Sequence, residues 1–258
     1  MKRRGFPGCF ASWDCKHYFW KNCPVRLAGS HKGKEKGKTL VMEAICDPEL
    51  YMWYIHFGEP GSLNDINILD RSTIVGAILA QTMNTQVEPY LINGQRRDWL
   101  YFLADGIYPP WSIFAKTNPS PTTQIEIKYA KRHEYVRKDI ERCFGVLISK
   151  YQILANPIRL WYMNDINAIM QCCVILHNMT IEMRRDSFIF NDLQDVEDED
   201  INVDEHAVVS TLFEFEEVID GEIVDLTDRV ANMATNIEDA QRHTLLANDL
   251  AEHINSSF

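Results

Sequence analysis

Residues 186–258 carry 20 Asp and Glu against two Lys and Arg, and from Asp186 to Asp228 there is no Lys or Arg at all. A stretch so one-sided in charge repels itself and is poorly suited to wrapping a core. The packed fold is therefore expected in the residues before it. Those residues, 1–185, hold 24 basic and 17 acidic side chains, a net of +7, while the remainder stands at −18. The overall charge of −11 thus hides a moderately basic body. Read whole, −11 argues against nucleic acid as a partner; divided, it does not. The organisation expected is a body at 1–185, a flexible acidic segment at 186–228 and a helical segment at 229–258. In the last, Val230, Met233, Ile237, Leu245, Leu246, Leu250 and Ile254 keep a helical rhythm.

Within the body, short apolar runs alternate with turn signals. Phe10–Phe19 reads as a strand through Asp14. Thr39–Cys46 and Tyr51–Phe57, parted by Asp47-Pro48-Glu49, read as an antiparallel hairpin. A helix is expected from Asn64 or Asp65, and Trp99–Ala104 is a buried strand halted by Asp105-Gly106. One long helix is expected over Gln124–Tyr151, with Val136, Ile140, Cys143, Phe144, Leu147 and Tyr151 on its apolar stripe. Another, over Asn164–Arg184, is apolar on most sides and expected to be buried. The fold class is α/β, a mixed sheet flanked by helices.

No apolar run approaches the roughly 20 residues that span a bilayer, and the basic start (Lys2, Arg3, Arg4) is broken by Gly5 and Pro7 before any signal-like core. No membrane is expected as a partner. The seven cysteines are odd in number and form no C-x-x-C pair, which suits reduced thiols of an intracellular protein. Cys9, Cys15, His17 and Cys23 lack the closely spaced pairs of a structural zinc site. Gly33-Lys34-Glu35-Lys36-Gly37-Lys38-Thr39 has the look of a phosphate loop, but it leads into a strand, and that mechanism requires a helix N-terminus. Lys32, Lys34, Lys36 and Lys38 are left as either a contact for a phosphate backbone or a solvated loop.

Three carboxylates stand out. Asp14 lies in an apolar strand, Asp105 ends another, and Glu141 sits at the rim of the helical stripe, about 100° from Ile140. Carboxylates that converge need a cation or a raised pKa, and with no dedicated basic partner the natural cations are one or two Mg²⁺ or Mn²⁺. Each acid also has an ordinary alternative: Asp105 as a turn residue before Gly106, Glu141 paired with Arg137, Asp14 beside Lys16.

The ordered motifs go further. Gly5-Phe6-Pro7-Gly8, Trp13-Asp14-Cys15-Lys16-His17 and Trp20-Lys21-Asn22-Cys23-Pro24 are followed by Pro60-Gly61-Ser62-Leu63-Asn64-Asp65 and Leu103-Ala104-Asp105-Gly106. Then come Arg137-Lys138-Asp139-Ile140-Glu141-Arg142-Cys143-Phe144-Gly145 and Ile175-Leu176-His177-Asn178-Met179. This series resembles the catalytic domain of PIF/Harbinger-type transposases of the DDE superfamily, in particular the plant transposon branch, related to the animal Harbinger-derived nuclease. The helix ending at Asn248–Ile254 resembles that family's C-terminal helix more weakly.

The resemblance implies an RNase H-like core with Asp14, Asp105 and Glu141 as the catalytic, metal-holding triad and two divalent ions, Mg²⁺ or Mn²⁺. It implies a nuclear, metal-dependent DNA endonuclease or transposase that cleaves phosphodiester bonds and then transfers a strand. Asp65 matches a further acidic family position, either an accessory metal or water contact or, as we favour, a helix N-cap. His17 and Lys21 are candidate DNA contacts. Partners implied are DNA, a separate Myb-like DNA-binding protein and a second copy of the chain. Family members usually carry a helix-turn-helix-like region before the first catalytic Asp, and with Asp14 so near the start the chain is expected to lack it. A truncated gene model, a decayed element copy and a domesticated nuclease all share that form. The competing functions are a non-catalytic DNA-binding or regulatory protein derived from a transposase, and a protein-interaction module whose acidic segment is the working part. That segment is either merely solvated or a competitor with DNA for the basic body.

Overall fold

The computed structural model of the chain describes residues 1–79, 86–194 and 240–257. The five-stranded sheet is built from β1 (Cys9–Phe19), β2 (Thr39–Cys46), β3 (Met52–Pro60), β6 (Tyr101–Leu103) and β7 (Phe114–Ala115) in the order β3-β2-β1-β6-β7. The β1–β2 and β2–β3 pairs are antiparallel, and β1–β6 and β6–β7 are parallel. Three antiparallel strands continued by two parallel ones form the expected RNase H-like core. A four-residue helix, α1 (Ala28–His31), precedes β2. All eight residues of β2 are buried, as a strand apolar on both faces requires when helices cover both.

The cross-strand register divides the sheet's side chains. Trp13 lies opposite Ile45, and both pack with Leu69, Ile74, Val75 and Ile78 of α2 (Asp65–Leu69) and α3 (Thr73–Leu79). Asp14 lies opposite Ala44, on the face where Ala44, Met42 and Cys46 pack against Ile140, Cys143, Phe144 and Leu147. Those last four are the apolar stripe of α5 (Asp139–Lys150). The expected single long helix is two, α4 (Gln124–Arg137) and α5, parted at Lys138, whose ψ of −5° bends the axis. The bend turns Asp139 fully inward, where Arg4 and Arg142 donate to its carboxylate. An acid at a helix N-terminus also complements the helix dipole. The start of α4 is held by a capping box between Thr123 and Glu126.

Two strands escape a periodicity reading. β4 (Gln86–Ile92) and β5 (Gln95–Trp99) form a separate hairpin closed by Asn93-Gly94, both at positive φ (48° and 76°). Asn-Gly is the usual residue pair for a tight hairpin turn of that hand. Gly61, in the Pro60-Gly61-Ser62 motif, is required by space: a Cβ there would lie 1.9 Å from the Thr39 hydroxyl oxygen and 2.8 Å from the His31 carbonyl oxygen.

After the short α6 (Gln152–Ala155), α7 (Met163–Gln194) runs on from the body past the expected boundary at 185. It is not buried on most sides. Ile166, Met170, Cys173, Val174 and Ile181 pack inward, while Ile175, Leu176, Met179 and Met183 are half or more exposed, because helical geometry lets only one stripe reach the sheet. The last helix, α8 (Ala240–Ser257), packs Leu246, Leu250, Ala251 and Ile254 against Phe6, Tyr101, Tyr129 and Val136. Arg97 donates to Asp249, and Lys128 Nζ donates to the Asn255 carbonyl at 3.2 Å. Residues 195–239, which hold most of the acidic segment and the rhythm through Val230, Met233 and Ile237, lie outside the described residues.

The His177-Asn178 pair is a backbone clamp. Asn178 accepts from the Met52 amide at 3.0 Å and donates to the Met52 carbonyl at 2.9 Å, fixing the start of β3. His177 Nε2 donates to the Leu50 carbonyl at 2.7 Å, and Leu50 has φ +71°. Asn178→Ala leaves both Met52 groups without these partners and is expected to cost about 2–3 kcal/mol, read as a lower urea midpoint at unchanged slope.

Candidate catalytic centre

Asp14 and Asp105 meet because of strand register. β1 and β6 pair in parallel with Ser12 level with Leu103, so Asp14 lies two residues on in β1 and Asp105 two residues on, just past the end of β6, close enough for their charges to interact. The ends of parallel strands are where an α/β sheet offers side chains to a ligand. Asp14 is mostly buried, with its side chain 17% exposed. Its Oδ1 accepts from the Cys15 amide at 2.8 Å, and its Oδ2 from Arg137 Nη1 at 3.4 Å. Burial pushes the Asp14 carboxyl up to about 6; the Cys15 amide and Arg137 pull it back, and the charges of Asp65 and Asp105 push it further. Asp105 is exposed, and its Oδ1 accepts from the Gly106 amide at 2.6 Å.

Asp65 joins this group from the α2 side. The N-cap of α2 is Asn64, whose side chain accepts from the Asn67 amide at 2.8 Å, and Asp65 is the first helical residue. The favoured capping role of Asp65 is thereby taken by its neighbour. Burial raises its carboxyl above the usual aspartate range, with Lys34 and His17 opposing and Asp105 adding to the rise. Lys34 thus belongs electrostatically to the carboxylate group, while Lys32, Lys34 and Lys36 are exposed on a loop closed by a Lys32–Lys38 bridge. His17 is half-buried against the Thr39 hydroxyl at 2.9 Å, and desolvation with Lys34 lowers its pKa. Lys21 is exposed in the turn after β1.

Glu141 is reached through a cation. Arg137 Nη2 donates to Glu141 Oε1 at 3.0 Å and to Glu134 Oε1 at 3.1 Å, while its Nε donates to Glu134 Oε2 at 3.1 Å. The absence of a dedicated basic partner, expected from the sequence, is therefore corrected: Arg137 is that partner. The alternative Arg137–Glu141 pair is present, and it extends to Asp14. Among the described residues no three His, Cys, Asp or Glu side chains converge closely enough to hold a metal ion in this arrangement. The donor chemistry nevertheless fits a hard divalent cation: carboxylate oxygens only, around a half-buried acid that lacks a full counter-charge. Completing the set requires Glu141 to exchange Arg137 for the ion.

The sequence reading also passed over Lys116. It follows β7, the next parallel strand, its Nζ donates to the Tyr108 carbonyl, and its amine feels the charge of Asp105. Its position just beyond a parallel strand was the available signal, hidden because β7 is two residues long.

Among the described residues no helix is long and apolar enough to cross a membrane. Residues 1–188 match the family of plant transposon proteins. The chain is 26% identical over 188 residues to Protein ALP1-like of Arabidopsis thaliana, covering 70% of this chain and 45% of that protein. It is 23% identical over 182 residues to Protein Antagonist of Like Heterochromatin Protein 1 of the same plant, covering 69% and 45%. The chain thus spans about half the length of the curated relatives it matches. No solved structure matches it at a significant level. The matched stretch takes in the whole five-stranded sheet together with Asp14, Asp65, Asp105, Arg137 and Glu141, and on that extent of agreement the chain belongs to the plant transposon protein family.

Proposed function

We propose that this chain is a metal-dependent DNA endonuclease of the PIF/Harbinger transposase type. It cleaves a phosphodiester bond with water, and the freed 3′-hydroxyl then attacks a phosphodiester of the target strand, whose own 3′-oxygen leaves. The observation that carries the reading is the parallel β1–β6 register, with Ser12 level with Leu103, which sets Asp14 in β1 near Asp105 just past the end of β6, on a sheet face over which α5 brings Glu141. Asp14, Asp105 and Glu141 would hold one or two Mg²⁺ or Mn²⁺, with Asp65 as an accessory group. Such ions, when bound, activate water and stabilise a leaving oxygen.

The chain's own residues supply position and charge. The buried strand fixes Asp14, the Gly106 amide orients Asp105, and Lys34 and Lys116 set positive charge beside the acids for an incoming phosphate. Lys32, Lys36, Lys38, His17 and Lys21 extend this toward the DNA backbone, and the net +7 of residues 1–185 favours non-specific attraction. In this reading the protein acts in the nucleus, on DNA, with a Myb-like DNA-binding protein and a second copy as partners.

A second reading draws on the Arg137 pairs, which offset part of the acidic charge without a metal, and on the relative named Antagonist of Like Heterochromatin Protein 1. The chain would then be a domesticated, non-catalytic DNA-binding, regulatory or protein-interaction module. Nicking of supercoiled plasmid with Mg²⁺ or Mn²⁺ separates the two. Wild type should nick, while Asp105→Ala and Glu141→Ala should fall to background; no nicking by wild type with either metal, or equal nicking by the mutants, rejects the catalytic reading.

A further inference from the structure

We infer that Arg137 is a resident cation that competes with the divalent ion for Asp14 and Glu141, and that Glu134 is the perch onto which its guanidinium withdraws when the ion binds. The inference rests on the metal-dependent reading above and adds a residue that sets how tightly the ion is held.

The geometry ranks the three contacts. Glu134 takes the fork of the guanidinium through two bonds of 3.1 Å, Glu141 takes one of 3.0 Å, and Asp14 the longest, 3.4 Å. A two-bonded arginine–carboxylate pair is the strong form of this interaction. Arg137 itself is buried, its side chain 9% exposed, whereas Glu134 and Glu141 are 47% and 49% exposed. The arginine stem is therefore anchored in the body while its guanidinium can settle on Glu134, and the half-exposed Glu141 has room to turn from it toward an ion. Helical spacing makes the arrangement: Glu134 is one turn before Arg137 and Glu141 one turn after. Arginine stays protonated at any working pH, so the position is cationic whether or not metal is present. Without Arg137 the buried Asp14 would face Asp65 and Asp105 without the guanidinium that is bonded to its carboxylate. Without Glu134 the guanidinium would remain on Asp14 and Glu141, against the ion.

Mn²⁺ titration of the full chain by calorimetry tests this, with wild type, Arg137→Gln, Arg137→Lys, Lys138→Gln and Asp14→Asn. Lysine keeps the charge at 137 but presents one nitrogen in place of the planar fork that here spans Glu134, Glu141 and Asp14. Both Arg137 variants are therefore expected to bind Mn²⁺ about tenfold or more tightly than wild type. Lys138→Gln removes an exposed charge that pairs with Glu134 at 3.6 Å and leaves the Arg137 bonds in place, so it should change binding by about twofold or less. Without metal, Arg137→Gln should melt at a lower temperature than wild type, and Mn²⁺ should close the gap. Wild-type binding abolished by Asp14→Asn, but no tighter in Arg137→Lys, overturns the role of Arg137 and leaves the metal reading standing. No Mn²⁺ binding in wild type, Arg137→Lys and Arg137→Gln alike overturns both. If Arg137→Gln does not fold, Arg137→Lys decides.

Discussion

Asp14→Asn is expected to destroy activity and strengthen the fold in the same protein. On the proposed metal-dependent reading, plasmid nicking should fall by about 10³-fold or more, because one of the three carboxylates proposed to hold the ion is lost. At pH 8 without metal, unfolding should require about 2 kcal/mol more than in wild type. The sign follows from the proton balance. Burial raises the folded Asp14 carboxyl from 3.8 to about 6, so the folded state holds the proton more tightly than the unfolded one. The stability this confers is complete below pH 3.8 and is lost as pH rises through 6. Asparagine carries no such charge. Its gain, after allowance for the lost 3.4 Å contact with Arg137, should appear at pH 8 and vanish near pH 4. Urea unfolding at the two pH values measures it; a loss at pH 8 would mean that pairing with Arg137 outweighs burial.

The second large effect lies on the opposite sheet face. Glu43 is fully buried in β2, its Oε1 accepting from the Trp13 indole at 3.0 Å. Burial lifts its carboxyl from 4.5 to about 7, with the Ser72 hydroxyl and the Trp13 indole pulling it back. Its contribution is likewise present below pH 4.5 and lost as pH rises through 7. Glu43→Gln keeps an acceptor for Trp13 and removes the charge. The difference in unfolding free energy between variant and wild type should therefore grow by about 2.5 kcal/mol in the variant's favour from pH 5 to pH 8. A difference that does not change with pH would show that Glu43 ionises as an ordinary glutamate.

How far this could be seen in the sequence depended on the kind of signal. β1, β2, β3 and the buried stripe of α5 were legible because alternation and helical spacing are written in consecutive apolar residues. The β4–β5 hairpin was not, since Pro89, Arg96 and Arg97 break its alternation, although Asn93-Gly94 marked its turn. The α4–α5 bend was hidden because it sits at a single backbone position, Lys138, and the Arg4 that meets Asp139 beside it is 135 residues away in the sequence. The same holds for the candidate centre. Asp14, Asp105 and Glu141 could be picked out singly, whereas the bond from Arg137 to Asp14 spans 123 residues. Asp65 and Asn64 differ by one position, and only backbone geometry tells which of them caps.

The docking of α8 changes what kind of segment the acidic stretch is. Leu246, Leu250 and Ile254 complete the wall over Phe6, Tyr101 and Tyr129, so the last structural element lies beyond residues 195–239. In topological terms the acidic stretch is an insertion between two moored helices. Ending the chain near residue 186 would strip a face off the core, and any change in DNA affinity would then be confounded by damage to the fold. Excising the stretch internally, with a linker joining the end of α7 to the start of α8, leaves that wall in place. It also means that a protease cut within the stretch should yield two fragments that remain associated through α8 until the fold is denatured.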